Sequence, residues 1–360
     1  MVARGIRNLK PLALEPRERF NVFSGDNGQG KTNLLEAIFV VAALRSFRTS
    51  KLADLIGFGG ERARLGARVL KDDLVRLYEV ELAPGARKVA LDGKAVRPLA
   101  RYFGGFNVVV FTPEDLSLPR ASPADRRRFL DRGVFNLRPE YLTTAQDYER
   151  VLKTRNSVLR KTGDGGLDRA RAEDLLAVYD QQLARLAAEV IAARKRFLEA
   201  VRGELATAFA SITRTGLRVE ARYVVRAAAE TPEDIARALV AARMKDFATS
   251  ATQVGPHRDD LVFELEGREA GSYASQGQLR AIMLAWKTAE LQVLGRAHGD
   301  LPILLLDDVS SELDPQRNEY LFEHLASLAG QCFITTTHPG HVLLRQHRAD
   351  YRIANGEILQ

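Results

Sequence analysis

Residues 25–32 read Gly25-Asp26-Asn27-Gly28-Gln29-Gly30-Lys31-Thr32 and match G-x-x-x-x-G-K-[ST], the phosphate-binding loop. No other stretch constrains the fold as tightly. The loop works only between a buried strand and a helix whose N-terminus points at the phosphates. Both contexts are present. Residues 20–23 (FNVF) form a mostly apolar stretch before it, and residues 33–44 carry Leu34, Leu35, Ile38 and Val41 at helical spacing after it. The glycines let backbone N–H groups converge on a triphosphate, and Asn33 opens the helix beside them. Lys31 is expected to reach the β- and γ-phosphates, and the Thr32 hydroxyl to ligate Mg²⁺.

A second element completes such a site. Leu304, Leu305 and Leu306 run into Asp307 and Asp308. A buried strand that delivers an acid at its C-terminal end is the Walker B arrangement. Asp307 is expected in the Mg²⁺ shell, and Asp308 is expected to orient and polarise the attacking water.

The rest of the chain divides into three. The first third is mixed α/β. Alternating apolar residues from 62 to 92, with Pro84-Gly85 and Asp92-Gly93 as turns, predict a small antiparallel sheet. Residues 106–111 (FNVVVF) predict a buried strand. The middle third reads as helical. Between residues 167 and 202, Leu176, Tyr179, Leu183, Leu186, Val190, Ala193 and Phe197 alternate spacings of 3 and 4. This stripe predicts a long helix packed on a neighbouring helix. The last third returns to α/β texture, with strands at 303–306 and 332–335. The expected fold is therefore α/β: a P-loop ATPase head with a small antiparallel β subdomain and a helical arm. The head would comprise residues 1–120 and 251–360, with the arm at 121–250.

At 46% hydrophobic and 28% charged residues, the composition is that of a globular protein and excludes wholesale disorder. The longest apolar runs fall well short of the roughly 20 residues that span a bilayer. An integral membrane protein is excluded; a peripheral subunit of a membrane complex is not. One cysteine, Cys332, and no signal peptide point to the cytoplasm. The net charge of +7 favours a phosphate-rich partner without proving one.

Weaker motifs follow in an informative order. Ser275-Gln276-Gly277-Gln278-Leu279-Arg280 precedes the Walker B strand. Ser311-Glu312-Leu313-Asp314 follows it, and Thr335-Thr336-Thr337-His338 ends a strand. This order resembles the ATP-binding-cassette ATPases. The resemblance implies a signature motif at Ser275, Gly277 and Gln278, a D-loop at residues 311–314 and a switch histidine at His338. It also implies two heads sandwiching two ATPs, each signature capping the nucleotide on the other head. Roughly 240 residues separate Lys31 from Ser275. That is long for a transporter ATPase and short for the coiled-coil SMC chromosome ATPases.

The intermediate case is the RecF family, and the chain is similar to it over nearly its whole length. Residues 26–32 (DNGQGKT), 111–116 (FTPEDL), 126–131 (RRRFLD), 252–261 (TQVGPHRDDL), 275–280 (SQGQLR) and 304–314 (LLLDDVSSELD) resemble that family's blocks. The resemblance implies an ATP-dependent homodimer that binds DNA and hydrolyses ATP slowly; with no recognition-helix motif or aromatic-rich platform in the sequence, sequence-independent backbone binding is expected over base readout. It also implies a role in promoting RecA loading at gaps with RecR and RecO-type mediators. Two departures stand out from the wider cassette pattern. Asp308 replaces the usual glutamate, and Gln276 replaces the first glycine of the signature. No Q-loop glutamine follows Phe111; Pro113-Glu114-Asp115 stands there instead. Two other readings compete. A transporter's nucleotide-binding subunit is disfavoured by the motif spacing, and a non-catalytic DNA-binding module by the completeness of both Walker motifs.

For DNA, residues 120–161 carry 11 basic against 5 acidic residues, a local surplus of about +6. Arg126, Arg127 and Arg128 head this cluster, and Arg45, Arg48 and Lys51 form a second one near the P-loop. Both are candidate phosphate contacts. A solvated helix face or an internal structural element is the competing reading, since Phe129 and Leu130 interrupt the first cluster. His257, Asp259 and Asp260 could imitate a metal site. A structured return from the arm into the head is the stronger reading of that segment.

Overall fold

The computed structural model describes residues 1–49, 51–97 and 99–359. In chain order, short strands β1 (Val2–Arg4) and β2 (Leu12–Ala13) precede β3 (Phe20–Ser24) and helix α1 (Lys31–Ala43). Four strands follow: β4 (Ala63–Lys71), β5 (Leu74–Ala83), β6 (Ala86–Leu91) and β7 (Lys94–Ala95). Then come β8 (Val108–Phe111) and the short helix α2 (Pro113–Leu116). The middle of the chain holds α3 (Pro123–Leu137), α4 (Tyr141–Gly163), α5 (Arg169–Thr213), β9 (Val219–Val224), α6 (Pro232–Thr249), β10 (Asp260–Leu265), β11 (Arg268–Glu269) and α7 (Ala270–Tyr273). The chain closes with α8 (Gln276–His298), β12 (Ile303–Asp307), α9 (Pro315–Tyr320), β13 (Cys332–Thr336), β14 (Arg348–Ala354) and β15 (Glu357–Leu359).

Two compact units result. The first comprises residues 1–117, 211–214 and 280–360, and the second residues 118–210 and 215–279. The expected boundary at residue 251 moves to 280, because the return segment and the first turn of α8 cluster with the arm. No helix among the described residues is long and apolar enough to cross a membrane.

The first unit holds two six-stranded sheets. One is antiparallel in the order β2-β1-β4-β5-β6-β7, as the alternation predicts. In the other, order β15-β14-β3-β13-β12-β8, the run from β14 to β8 is parallel and only β15 is antiparallel. Parallel strands aim their C-terminal ends the same way, and ligands of such sheets bind beyond those ends. The register brings the strand ends level: Thr336 opposite Ser24, Thr335 opposite Asp307, and Leu306 opposite Phe111. Strands β3, β8, β12 and β13 are almost wholly buried, which is why they read as mostly apolar runs rather than alternating ones.

The second unit is not wholly helical. A three-stranded sheet, order β11-β10-β9, sits among its helices. Along α5, Leu176, Leu183, Leu186, Val190 and Phe197 are buried, and Tyr179 and Ala193 partly so. The stripe packs within its own unit: Leu176 and Ala172 join Val158 and Leu159 of α4, with Phe247 of α6 against them. Beneath this core lies a buried ion network. Arg155, fully buried, donates to Asp180 at 2.7 Å, to Asp246 at 2.7 Å and to the Thr252 hydroxyl at 2.8 Å. Arg243 donates to the second Asp180 oxygen at 2.8 Å, so one cluster ties α4, α5 and α6 together.

Candidate nucleotide-binding site

The loop after β3 turns where two glycines are required. A Cβ on Gly25 would lie 2.2 Å from the Ile353 carbonyl oxygen, and Gly30 has φ of 108°, a left-handed value. The loop delivers Lys31 as the first residue of α1. Its Nζ donates to the carbonyl oxygens of Gly25 at 2.6 Å and Asp26 at 2.9 Å. Burial lowers the Lys31 pKa, and the carboxylates of Asp308, Asp307 and Asp26 only partly offset this.

Thr32, next on the helix, donates its hydroxyl proton to Asp307 Oδ1 at 2.9 Å. Thr335, on the neighbouring β13, donates to the same oxygen at 2.7 Å. Burial raises the Asp307 pKa, and these two hydrogen bonds oppose the rise; Glu114 adds to it and Arg48 opposes it. A hydroxyl and a carboxylate side by side are the oxygen donors of a Mg²⁺ ion that keeps most of its waters. Asp308 follows in a left-handed conformation, φ 51°, with its N–H directed at Thr335. Its Oδ1 is buried and has no hydrogen-bond partner among the described residues, so it is free to accept from a water or ligand in the site.

These groups line one open cleft of about 350 Å³, formed by Asn27, Gly28, Gly30, Lys31, Thr32, Asn33, Phe47, Arg48, Pro113, Glu114, Asp307 and Asp308. Gly25, Asp26 and Gln29 belong to the loop but not to the cleft wall. Their parts are the turn itself, a carbonyl for Lys31 and, for Gln29, a contact with Asn355. His338, expected as the switch, is exposed and set edge-on to His341 with centroids 5.3 Å apart; it does not line the cleft.

Two wall residues carry new roles. Arg48, expected at a DNA surface, lines the cleft instead. It donates to Asn33 Oδ1 at 2.9 Å and lies 3.6 Å from Glu36. The fully buried Glu36 also receives Arg7 at 2.6 Å, so one carboxylate anchors both arginines. Glu114 occupies the expected Q-loop position. It sits on α2, whose first turn is braced by the Thr112 N–H donating to Asp115 at 3.2 Å. The sequence places the Pro-Glu-Asp run there but does not say that its acid would line the cleft.

The signature residues lie in the second unit. Ser275 is exposed and caps α8: its Oγ accepts from the Gln278 N–H at 3.2 Å, and the Gln278 side chain accepts from the Ser275 N–H at 2.8 Å. The segment before it is held by Arg120, which donates to the carbonyls of Gly271 at 3.0 Å and Ala274 at 2.9 Å. Gly277 is half-buried in the first turn. In the D-loop, Ser311 donates to the Asp308 carbonyl at 2.7 Å and Glu312 pairs with Arg280 at 3.0 Å.

Two of the three arginines that head the basic cluster, Arg126 and Arg127, are structural. Arg126 is buried and grips Asp260 with two hydrogen bonds, 2.9 and 2.5 Å, while also donating to the Ala121 carbonyl at 2.7 Å. It is not a phosphate ligand. Arg127 donates to the Asp259 carbonyl at 2.7 Å, and burial lowers its pKa. Arg128 is exposed and pairs with Asp125. The return segment is equally occupied. His257 bonds Tyr148 at 2.6 Å and the Thr252 carbonyl at 3.0 Å, and burial lowers its pKa to about 4. No cluster of three or more His, Cys, Asp or Glu side chains placed to hold a metal ion occurs among the described residues. Arg126→Glu should therefore cost about 3 kcal/mol or more, the usual result of breaking a buried pair, whereas Arg128→Glu should unfold at the wild-type urea concentration. Equal destabilisation by the two would contradict this assignment.

Residues 1–355 match the family described as RecF/RecN/SMC N terminal domain. The chain is 40% identical to the DNA replication and repair protein RecF of Geobacter sp. (strain M21), covering 98% of this chain and 97% of that protein. It is also 40% identical to the RecF protein of Myxococcus xanthus (strain DK1622), over 92% and 88%. Among solved structures, the recombination mediator protein RecF with ATPrS, from the RecFOR pathway, superposes with a TM-score of 0.88 at 32% identity, covering 99% and 96%. An SMC head bound to the C-terminal winged-helix domain of ScpA shares the fold at a TM-score of 0.54 and 14% identity. A P-loop and a Walker B strand in one cleft, a serine-capped signature helix and full-length identity of this order lead to one conclusion: the chain belongs to the RecF family of DNA replication and repair proteins.

Proposed function

We propose that the chain is a cytoplasmic, ATP-gated DNA clamp of recombinational repair, which dimerises head to head on ATP, binds DNA and hydrolyses ATP slowly. One observation carries the reading: the cleft gathers Lys31, Thr32, Asp307 and Asp308 from two strand ends, and the buried Asp308 Oδ1 has no hydrogen-bond partner among the described residues. In this account Lys31 leaves the Gly25 and Asp26 carbonyls for the β- and γ-phosphates. Thr32 and Asp307 hold Mg²⁺, which when bound screens the phosphate charge. Asp308 accepts a hydrogen bond from the attacking water and orients it. Arg48 and Glu114 flank the triphosphate with opposite charges.

Ser275 serves a nucleotide on a second copy. It is exposed at the N-terminus of a helix of 23 residues, where the dipole favours a γ-phosphate. DNA is held through its backbone by basic side chains, with exposed Lys51 and Arg128 and partly buried Arg45 as the candidates. The proposed partners are RecO- and RecR-type mediators and RecA; the solved RecF structures are described as recombination mediators of the RecFOR pathway, which supports this class of partner.

ATP hydrolysis and self-association, measured with and without duplex DNA over a salt series, test the proposal. ATP should produce dimers, and DNA should raise turnover. The log of the DNA affinity should fall linearly with log salt at about −0.9 per neutralised phosphate. A chain that hydrolyses ATP but shows no affinity for DNA at low salt would remove the clamp.

A further inference from the structure

The Walker A pattern leaves the position of Gln29 open, and Gln29 does not line the cleft. Its side chain faces another partner. The loop between β14 and β15 is the two-residue turn Asn355-Gly356, since Ala354 pairs directly with Glu357. Both turn residues have positive φ, 50° and 75°, as a type I′ hairpin requires. The Asn355 N–H donates to Gln29 Oε1 at 2.5 Å, and the Gly356 N–H donates to the Gln29 carbonyl at 3.0 Å. One phosphate-loop residue thus accepts from both residues of a turn 326 positions away.

A third segment locks the turn to the loop. The Lys10 N–H donates to the Gly356 carbonyl at 2.9 Å, and Lys10 Nζ pairs with Glu357 at 2.8 Å. Asn8 Nδ2 donates to the Gly28 carbonyl at 2.8 Å, and Asn33 donates to Asn8 Oδ1 at 2.6 Å. The fit is close. A Cβ on Gly356 would lie 2.0 Å from the Asn8 carbonyl oxygen, and one on Gly30 2.9 Å from Leu9 Cδ2. A phosphate-binding loop must present its N–H groups without partners of its own, and so it needs outside support to keep its shape before the phosphates arrive. Here its carbonyls are engaged instead: Gly25 and Asp26 by Lys31, Gly28 by Asn8, and Gln29 by the turn.

We propose that the Asn355-Gly356 turn, with Gln29 as its receptor, is a positioning element of the nucleotide site that holds the Walker A loop ready for the triphosphate. Gln29 is a positioning residue, not a nucleotide ligand. The inference rests on the proposed ATP site. Preorganisation acts on binding rather than on chemistry, so the KM for ATP and kcat separate the roles.

The test uses the full chain and Mg·ATP. Gln29→Met keeps the reach of the side chain and removes the acceptor. It should raise the KM and the Kd for ATP about tenfold, the scale of one well-placed hydrogen bond. Its kcat should stay within about twofold, and the urea midpoint of the nucleotide-free protein should not move. Asn355→Gly keeps the N–H and removes the strain of φ 50°, so it should bind ATP like wild type. Gly356→Ala pushes the turn off Asn8 and should weaken ATP as Gln29→Met does. If Gly356→Ala fails to fold, the half-exposed Gln29 position still decides. Wild-type ATP affinity in Gln29→Met overturns the proposal. So does a lowered urea midpoint with an unchanged KM, because Gln29 would then serve stability alone. A wild-type chain that binds no ATP fails at the parent reading of the cleft instead, and the turn's role falls with it.

Discussion

Lys31→Met is expected to abolish ATP binding and ATP-induced dimers while leaving the fold intact or slightly firmer. The reason is the sign of the lysine's electrostatics. Its pKa lies below the ordinary value because burial outweighs three nearby carboxylates, so the folded protein tolerates the charge at a cost. Methionine fills the same space without it. The two hydrogen bonds lost, to the Gly25 and Asp26 carbonyls, face an open cleft where water can replace them. ATP affinity should fall at least about a hundredfold, since one desolvated charge on a triphosphate contributes several kcal/mol. Nucleotide titration and thermal unfolding on one preparation check both halves. Near-wild-type ATP affinity in a folded Lys31→Met protein would refute the P-loop assignment.

Asp308→Asn is expected to split the functions that Lys31→Met removes together. Asparagine tolerates the left-handed backbone at this position almost as well as aspartate, so φ 51° poses no new strain. The amide keeps the volume and can still accept at its oxygen. It cannot act as a charged base toward the attacking water. ATP should bind and dimers should persist, with turnover reduced about 10²- to 10⁴-fold, the range of a positioned acid–base group. Single-turnover hydrolysis measures this directly. Undiminished turnover would assign the water to another group on the cleft wall, with Glu114 the nearest in kind.

The sequence and the structure agree where chemistry is local and part where it is not. The phosphate loop, the Walker B acids and the strands that carry them were legible, because each motif and its flanking apolar run lie within a dozen residues. The antiparallel sheet was legible by alternation. Arg126 and Arg155 were not, because their partners lie far along the chain: Asp260 is 134 positions from Arg126, and Asp246 is 91 from Arg155. A run of arginines looks the same in sequence whether it meets DNA or a distant carboxylate. Strand β9 alternates too weakly to stand out, being only partly buried, and it becomes a strand by pairing with β10. The boundary at 280 was hidden for a simpler reason. Helix α8 runs through it unbroken, so no turn residue marks the change of unit.

In the proposed clamp the working site is shared between two copies, with Ser275 of one completing the cleft of the other. Ser275→Arg puts a bulky side chain at an exposed helix N-terminus, where no contact within the described residues forbids it. The most direct measurement is sedimentation with ATP of three samples: Ser275→Arg alone, Lys31→Met alone, and the two mixed. Each variant alone should remain monomeric. The mixture has one intact composite site, the Ser275→Arg cleft facing the Lys31→Met signature, and should form ATP-dependent heterodimers. Ser275→Arg dimers that assemble on ATP and hydrolyse it at the wild-type rate would contradict the shared site.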